Sequence, residues 1–519
     1  MSTSYDVVII GSGAGGGTLA HALAGSGKRV LVLERGGFLP RERENWDEKA
    51  VCLDRRYATA ERWRDADGRE FAPSVHYVVG GNTKMYGAAL LRLRAHDFAE
   101  VRHHGGTSPA WPIAYEQLES YYSAAERLYS VHGRRGADPH DPPSSTPYPF
   151  RALEHEPRIA ELARDLEHQG LRPFPIPLGV RLGETSHATA PIRLARFDGY
   201  PDPTEVKADA HVAALVPAQS RGGVTLRTEC VVERLLTSTS GREITGVLVR
   251  HGDETEVVRG SIVVVACGAV NSAALLLRSA NDAHPHGLAN RSGLVGRNLM
   301  LHHNGMLLAV CDVENPSVFQ KTFGLTDFYR GASAHEGHGA SEFPLGTIQL
   351  MGKPDRWTVE FMAKESSLAN RTADDLLAHS VDFFLTSEDL PDPRNRVTVG
   401  ADGGITLSYL PNNLAAYEAL RERTESIVAR AELAHGRARP DFLHLRLGIQ
   451  AVSHQNGTLR FGCDPATSVL DPECRAWDVH NLYAVDGSFF PSSGAVNPSL
   501  TIMANALRVG ERLLDRLGR

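Results

Sequence analysis

The feature that most constrains this chain is a glycine run between a buried strand and a helix near its N-terminal end. Residues 5–10 (YDVVII) form a continuous apolar run, as a parallel strand covered on both faces requires. Gly11, Gly13 and Gly16 then spell GxGxxG, with Ala14 and Gly15 inside it. Leu19, Ala20, Leu23 and Ala24 follow at helical spacing, and RVLVLE makes a second buried strand ending at Glu34 and Arg35. This is one βαβ unit. Gly11 serves the tight turn, Gly13 lets phosphates approach the backbone, and Gly16 lets helix and strand pack closely. The helix N-terminus presents free N–H groups and a positive dipole end to a pyrophosphate, and Glu34 is placed to accept hydrogen bonds from ribose hydroxyls. A lone GxGxxG says little. With strand, helix, second strand and acid all in order, it reads as a dinucleotide site, and its place early in a long chain favours FAD over NAD.

The chain of 519 residues as a whole is ordinary in composition, at 42% hydrophobic and 23% charged. The net charge of −7 comes without clustered Lys/Arg, which excludes nucleic acid and anionic membranes as expected partners. No apolar stretch approaches the roughly 20 residues that span a bilayer. The chain starts Met-Ser-Thr-Ser-Tyr-Asp with no basic region or cleavage pattern, and Cys52, Cys230, Cys267, Cys311, Cys463 and Cys474 show no CxxC spacing. The expectation is a cytoplasmic protein with buried, reduced thiols. Further along, residues 40–75 read as a charged surface excursion, 113–131 as a tyrosine-rich helix and 137–149 (ADPHDPPSSTPYP) as a loop or lid. VTLRTECVVERLLT, ITGVLVR and SIVVVACGA, between 224 and 269, read as a β-meander that returns to the parallel sheet. Strands such as SVDFFLTSE and NRVTV, with one helix near 413–434, predict an antiparallel sheet over 306–445. An amphipathic helix closes the chain over 499–517.

Four more segments carry a resemblance. Gly80-Gly81-Asn82-Thr83-Lys84-Met85-Tyr86-Gly87-Ala88 is a second glycine cluster. Ala266-Cys267-Gly268-Ala269-Val270-Asn271-Ser272 precedes three leucines. The strand 228–235 contains Val232. The C-terminal stretch holds SHQNGTLRFG (453–462) and LYAVDGSFFPSSGAVNPSLTIMANAL (482–507). Together these resemble the glucose–methanol–choline (GMC) flavoprotein family. The first two look like its two signatures, although Ser272-Ala273 stands where Ser-Pro is usual. The resemblance implies an α/β fold: a Rossmann-like FAD-binding domain with an antiparallel-sheet α+β substrate domain, in the GMC and p-hydroxybenzoate-hydroxylase-like architecture. It divides the chain into FAD-binding parts at 1–110, 206–305 and 446–519, cap elements at 111–205 and a substrate domain at 306–445.

The resemblance also implies site residues. Gly80, Gly81, Asn82, Met85, Tyr86, Gly87 and Ala88 form a loop leading into a helix over the flavin. Val232 meets the adenine through its backbone. Ala266, Gly268, Asp486 and Gly487 approach the cofactor, as do Pro498 and Thr501. His454, in HxxGT, is the active-site base, and Asn497, in NPSLT, is its partner. Taken alone, His454 would read as a structural histidine and Asn497 as a turn residue; the HxxGT, DGS and NPSLT contexts favour the catalytic reading. The His/Asn pairing resembles sterol, pyranose and glycoside oxidases. It points to oxidation of an alcohol, above all a secondary ring hydroxyl of a sugar, glycoside or aminoglycoside, by hydride transfer to flavin N5. A polyol or sterol dehydrogenase and an FAD-containing hydroxynitrile lyase are the alternatives. Thr83 is followed by Lys84 where a covalent Thr-His would stand, so the FAD is expected to be non-covalent. The electron acceptor, whether oxygen, a quinone or another carrier, is left open. The pairs His103-His104 and His302-His303 read as structural, because neighbours on a strand point to opposite faces, as do His187 and His379. No metal site is expected. The polar segment 319–345, with Gln320, Lys321, Asp327 and Tyr329, reads equally as a substrate wall or an insertion loop.

Overall fold

In the computed structural model, residues 4–182, 196–331, 342–431 and 439–518 are described. His187 and part of the 319–345 segment lie outside them. Strand β1 (Ser4–Ile10) buries Val7 to Ile10 completely or nearly so, helix α1 (Ala14–Leu23) follows, and strand β2 (Val30–Leu33) pairs parallel to β1. Burial of each large aliphatic side chain here stabilises by roughly 1.5–3 kcal/mol. The strand Val224–Arg227 adds outside β2. On the other side the long strand Glu254–Val265 pairs parallel to β1, and Leu482–Ala484 joins beyond it. The C-terminal segment thus returns to the first sheet. The terminal helix Ser499–Leu517 packs on α1, where Gly510 meets Ala22 with no room for a side chain.

The meander is present, with one correction. VTLRTECVVERLLT is two strands: Val224–Arg227 serves the parallel sheet, and Cys230–Thr237 pairs antiparallel with Ile244–His251. Glu229 sits between them in the left-handed region (φ 57°), its N–H donating to Gly36 O. That turn lets one apolar run supply the strands at both ends of the same seven-stranded sheet.

The second sheet has six antiparallel strands, in the order Asp441–Arg446, His303–Val310, Ser380–Ser387, Thr347–Leu350, Phe323–Leu325 and Phe174–Pro175. Alternation along His303–Val310 decides what covers it. Leu307 and Ala309 pack with Tyr417, Leu420 and Ile427 of the helix Leu414–Arg430. Leu308 and Val310 face Val359 and Leu376. The latter belong to two short helices, Arg356–Ala363 and Ala373–His379, which the sequence reading missed. Their caps were visible: Asp355 accepts from Thr358 N and Thr372 from Asp375 N.

Two other expectations need correction, while the Pro-rich segment 137–149 is a loop as expected. Arg396–Val399 (within NRVTV) belongs to a separate four-stranded sheet with Ile405–Ser408, Trp63–Asp65 and Glu70–Phe71. The 40–75 excursion therefore supplies two strands and the fully buried Trp63. The Pro-rich loop is anchored, since Asp138 is buried and paired with Arg94 at 2.5 Å. All six cysteines are free, but Cys463 is exposed. Among the described residues no helix is long and apolar enough to cross a membrane, and no group of His, Cys, Asp and Glu could hold a metal ion.

Candidate active site

One cavity of about 830 Å³ runs from the glycine turn to the loop carrying His454, within the size range of small-molecule sites. Of the predicted residues, Gly11, Gly13, Ala14, Gly15, Glu34, Arg35, Gly81, Asn82, Met85, Tyr86, Gly87, Ala88 and Val232 line it. So do Ala266, Gly268, His454, Asp486, Gly487, Asn497 and Pro498. Three others do not. Gly16 packs under Gly11 O, as helix–strand contact demands. Gly80 sits behind the wall against His211, with its N–H donated to Ser12 Oγ at 3.0 Å. Thr501 is buried against the Tyr122 hydroxyl at 2.8 Å, on the helix face turned from the cavity.

The nucleotide end is built from main chain. Gly11 (φ 101°) and Gly15 lie so close to the carbonyls of Ala266 and Val485 that neither has space for a Cβ. At Gly13, by contrast, the nearest atom to an added Cβ is Gly80 O at 3.9 Å, which leaves the approach to the helix N-terminus clear. Glu34 accepts from Ser12 N (3.0 Å), Ser12 Oγ (2.5 Å) and Gly36 N (3.1 Å), and burial pushes its pKa up. Ser12 therefore ties Glu34 to Gly80, a role hidden in an "x" of the motif. Arg35 stacks on Tyr77 at 3.9 Å and pairs with Glu61. The segment 81–84 is a single 3₁₀ turn, shorter than the expected helix. Its Lys84 turns away from the cavity to Asp209 (2.8 Å) and His211 (3.1 Å).

The HxxGT loop is held by its last two residues. Gly457 (φ 90°) is pressed against Asn298 O, and its N–H donates to Gly487 O at 3.0 Å. Thr458 Oγ1 donates to Ala269 O at 2.6 Å. Asp486 accepts from Gly268 N (3.0 Å), Ser272 Oγ (2.5 Å) and Ser488 N (2.9 Å). The second signature, the HxxGT loop and the DGS turn therefore lock together, which fixes where His454 emerges. A Cβ on Gly487 would strike Gln455 O at 2.6 Å.

His454 has its Nδ1 2.9 Å from His302 Nδ1 and 3.4 Å from Asn304 Nδ2. Among the described residues, no protein group is hydrogen-bonded to its Nε2. Burial, then His302, then Lys321 hold its pKa well below the usual histidine range. Asn497 Oδ1 accepts from Gln349 Nε2 at 3.1 Å. Lys321 is buried, lines the cavity and is paired with Asp198, a contact made possible by Gly87, which has no side chain to obstruct it. Asp327 and Tyr329 face elsewhere: Asp327 accepts from Arg172 N, and Tyr329 donates to Asp97 at 2.8 Å. Sequence reasoning missed Ser12, His302, Asn304 and Gln349. His302 had been read as structural, but it touches His454. Its neighbour His303 points the other way, to Asp389 (3.7 Å). His103 pairs with Glu388 and His379 bonds Asp375 O, both away from the site.

The chain is similar to known proteins along most of its length. Residues 5–304 and 405–506 match the N- and C-terminal parts of the GMC oxidoreductase family. Paromamine 6'-oxidase of Streptomyces fradiae is 31% identical, covering 97% of this chain and 90% of that protein. The large subunit of fructose dehydrogenase from Gluconobacter japonicus is 26% identical over 99% of this chain and 98% of its own. Pyridoxine 4-oxidase from Mesorbium loti superposes with a TM-score of 0.70 at 20% identity, covering 98% of this chain and 99% of its own.

Proposed function

The chain belongs to the GMC oxidoreductase family, FAD-dependent enzymes acting on CH–OH groups, and on that premise we propose that it oxidises a hydroxyl of a sugar, glycoside or aminoglycoside to a carbonyl, with His454 as base and Asn497 as its partner. One observation carries the reading. A half-buried imidazole whose pKa is held low by its surroundings lines the cavity that also holds the dinucleotide turn, and among the described residues no protein group is bonded to its Nε2. The residues present suit FAD: a glycine turn open at Gly13, a helix N-terminus and the carboxylate of Glu34. Bound there, FAD supplies a hydride acceptor at N5.

The chain's own residues do the rest. His454 Nε2 takes the hydroxyl proton as the C–H hydride leaves. Asn497, steadied by Gln349, holds the same oxygen through its amide and adds no charge beside the imidazolium that forms. Gln349, from a strand of the second sheet, and Lys321, from the turn before the strand Phe323–Leu325, fix the substrate side. The names of the relatives support a sugar-type substrate. So does Asp355 on the cavity wall: it caps Thr358 and pairs with no cation among the described residues, leaving its charge for an ammonium group. Lys84, directed at Asp209, supports FAD bound without a covalent link, and acid precipitation that leaves flavin on the protein would contradict that. The free thiols support a cytoplasmic setting, which fractionation checks.

The experiment is anaerobic flavin bleaching across a panel of aminoglycosides, neutral glycosides and simple polyols, with ring and exocyclic hydroxyls separately blocked. Bleaching strongest with the sugars supports the proposal. Cyanohydrin cleavage over an unreduced flavin contradicts it.

A further inference from the structure

His302 stands behind His454, outside the cavity and 1% exposed. Its two nitrogens face different partners: Nδ1 is 2.9 Å from His454 Nδ1, and Nε2 is 3.2 Å from the main-chain oxygen of Ser493. The rings meet edge-on, with centroids 5.1 Å apart at 88°. A carbonyl oxygen can only accept, so the His302 nitrogen facing Ser493 carries a proton. Burial depresses the pKa of His302, against the Ser493 carbonyl, Glu388 and the Gly494 carbonyl, and so favours the neutral ring, which has that one proton. Its Nδ1 is then a bare lone pair, and the nitrogen 2.9 Å away must be the donor. His454 therefore bears its proton on Nδ1 and leaves Nε2 unprotonated toward the cavity.

We infer that His302, held by the Ser493 carbonyl, is a positioning residue that fixes His454 in the Nδ1–H tautomer, so that the nitrogen facing the substrate is a proton acceptor. The inference rests on the reading of His454 as base. Asn304 is compatible with it. The Thr386 hydroxyl, 3.0 Å from Asn304 Oδ1, can either donate or accept, so the Asn304 amide can turn its oxygen to His454 Nδ1 and accept from the same N–H. When the substrate O–H breaks, its proton forms the Nε2–H bond while the hydride goes to FAD. The His454 Nδ1–H still has His302 as acceptor, so the new charge is shared across the hydrogen bond. The cation Lys321 opposes it.

Three variants of the holoenzyme separate this from a structural role. In His302→Asn the side-chain oxygen can stand near the place of Nδ1 and keep an acceptor for His454. In His302→Gln the amide can reach the Ser493 carbonyl, but no acceptor remains at the Nδ1 position. His302→Leu keeps neither. The expected anaerobic flavin-reduction rate falls about 10–100-fold in Gln and Leu, the effect of one buried hydrogen bond, and stays within about 3-fold in Asn. The deficit persists on the alkaline plateau, because raising the pH does not restore a tautomer. A Gln variant as fast as wild type, or an Asn variant no better than Gln, overturns the inference. His454→Ala run alongside keeps the two readings apart: if it too reduces at the wild-type rate, the base assignment has failed rather than the tautomer relay. Should the variants lose FAD, ¹⁵N NMR of labelled histidine in the wild-type holoenzyme decides: a His454 proton on Nδ1 upholds the inference, and one on Nε2 overturns it.

Discussion

The two ends of the cavity are made of different material. The nucleotide end is main chain: glycines at 11, 15 and 487 whose missing side chains let strand, helix and turn touch, with Ser12, Glu34 and Asp486 as braces. The alcohol end is side chain: His454, Asn497, His302, Gln349 and Lys321, each held by a partner far away in the sequence. A site made of backbone tolerates no added atom, whereas one made of side chains fails when a group is removed. The two kinds of damage should therefore be separable in the flask.

Adding one carbon at the nucleotide end should have the largest effect, because it displaces the cofactor and with it all flavin reduction. Gly15→Ala drives a Cβ into Val485 O, and we expect the flavin-to-protein absorbance ratio to fall more than 10-fold, the effect of losing about 1.4 kcal/mol or more of cofactor binding. Full FAD loading in that variant would break the comparison. Removing a group at the other end should do the opposite. His454→Ala keeps its flavin and loses about 10³-fold in anaerobic reduction, the scale of general base catalysis. Asn497→Ala should lose about 10–100-fold with a normal flavin spectrum, the value of one hydrogen bond to a charged oxygen. The smallest effect is expected at the cavity wall. Asp355→Asn should raise KM several-fold for amino-bearing sugars and leave neutral sugars unchanged, as one partly exposed charge contact allows; equal changes for both classes would remove Asp355 from substrate recognition.

The same contrast explains what could be read from the sequence. Gly11, Gly13 and Gly15 stand within one turn, and their spacing is local, so the βαβ unit and its strand-end acid were visible. Gly457 and Thr458 were visible for the same reason, since they dock the His454 loop onto its neighbours. His302, Asn304 and Gln349 carry no such mark. The antiparallel pairing of His303–Val310 with Ser380–Ser387, and of that strand with Thr347–Leu350, brings Asn304 to the cavity wall and sets His302 and Gln349 against His454 and Asn497, from separate parts of the chain. His302 was discounted because it sits in a His-His pair; alternation did send His303 elsewhere, but it left His302 against the base. Thr501 misses the cavity for a simpler reason: it lies on the inward face of its helix, where packing claims it, while Gly16 does the helix–strand packing its place in the motif assigns. The split at Glu229 was invisible because a non-glycine residue takes the left-handed turn.

The central claim is a neutral His454 at the cavity, and the pH profile of flavin reduction, with oxygen excluded, tests it most directly. Burial above all, with the charge of Lys321 added, disfavours the imidazolium. A depressed pKa keeps the base unprotonated as the pH falls, so the acid limb should lie below pH 6.5, the ordinary histidine value. An acid limb at or above that value, in an enzyme with full FAD, would contradict the account.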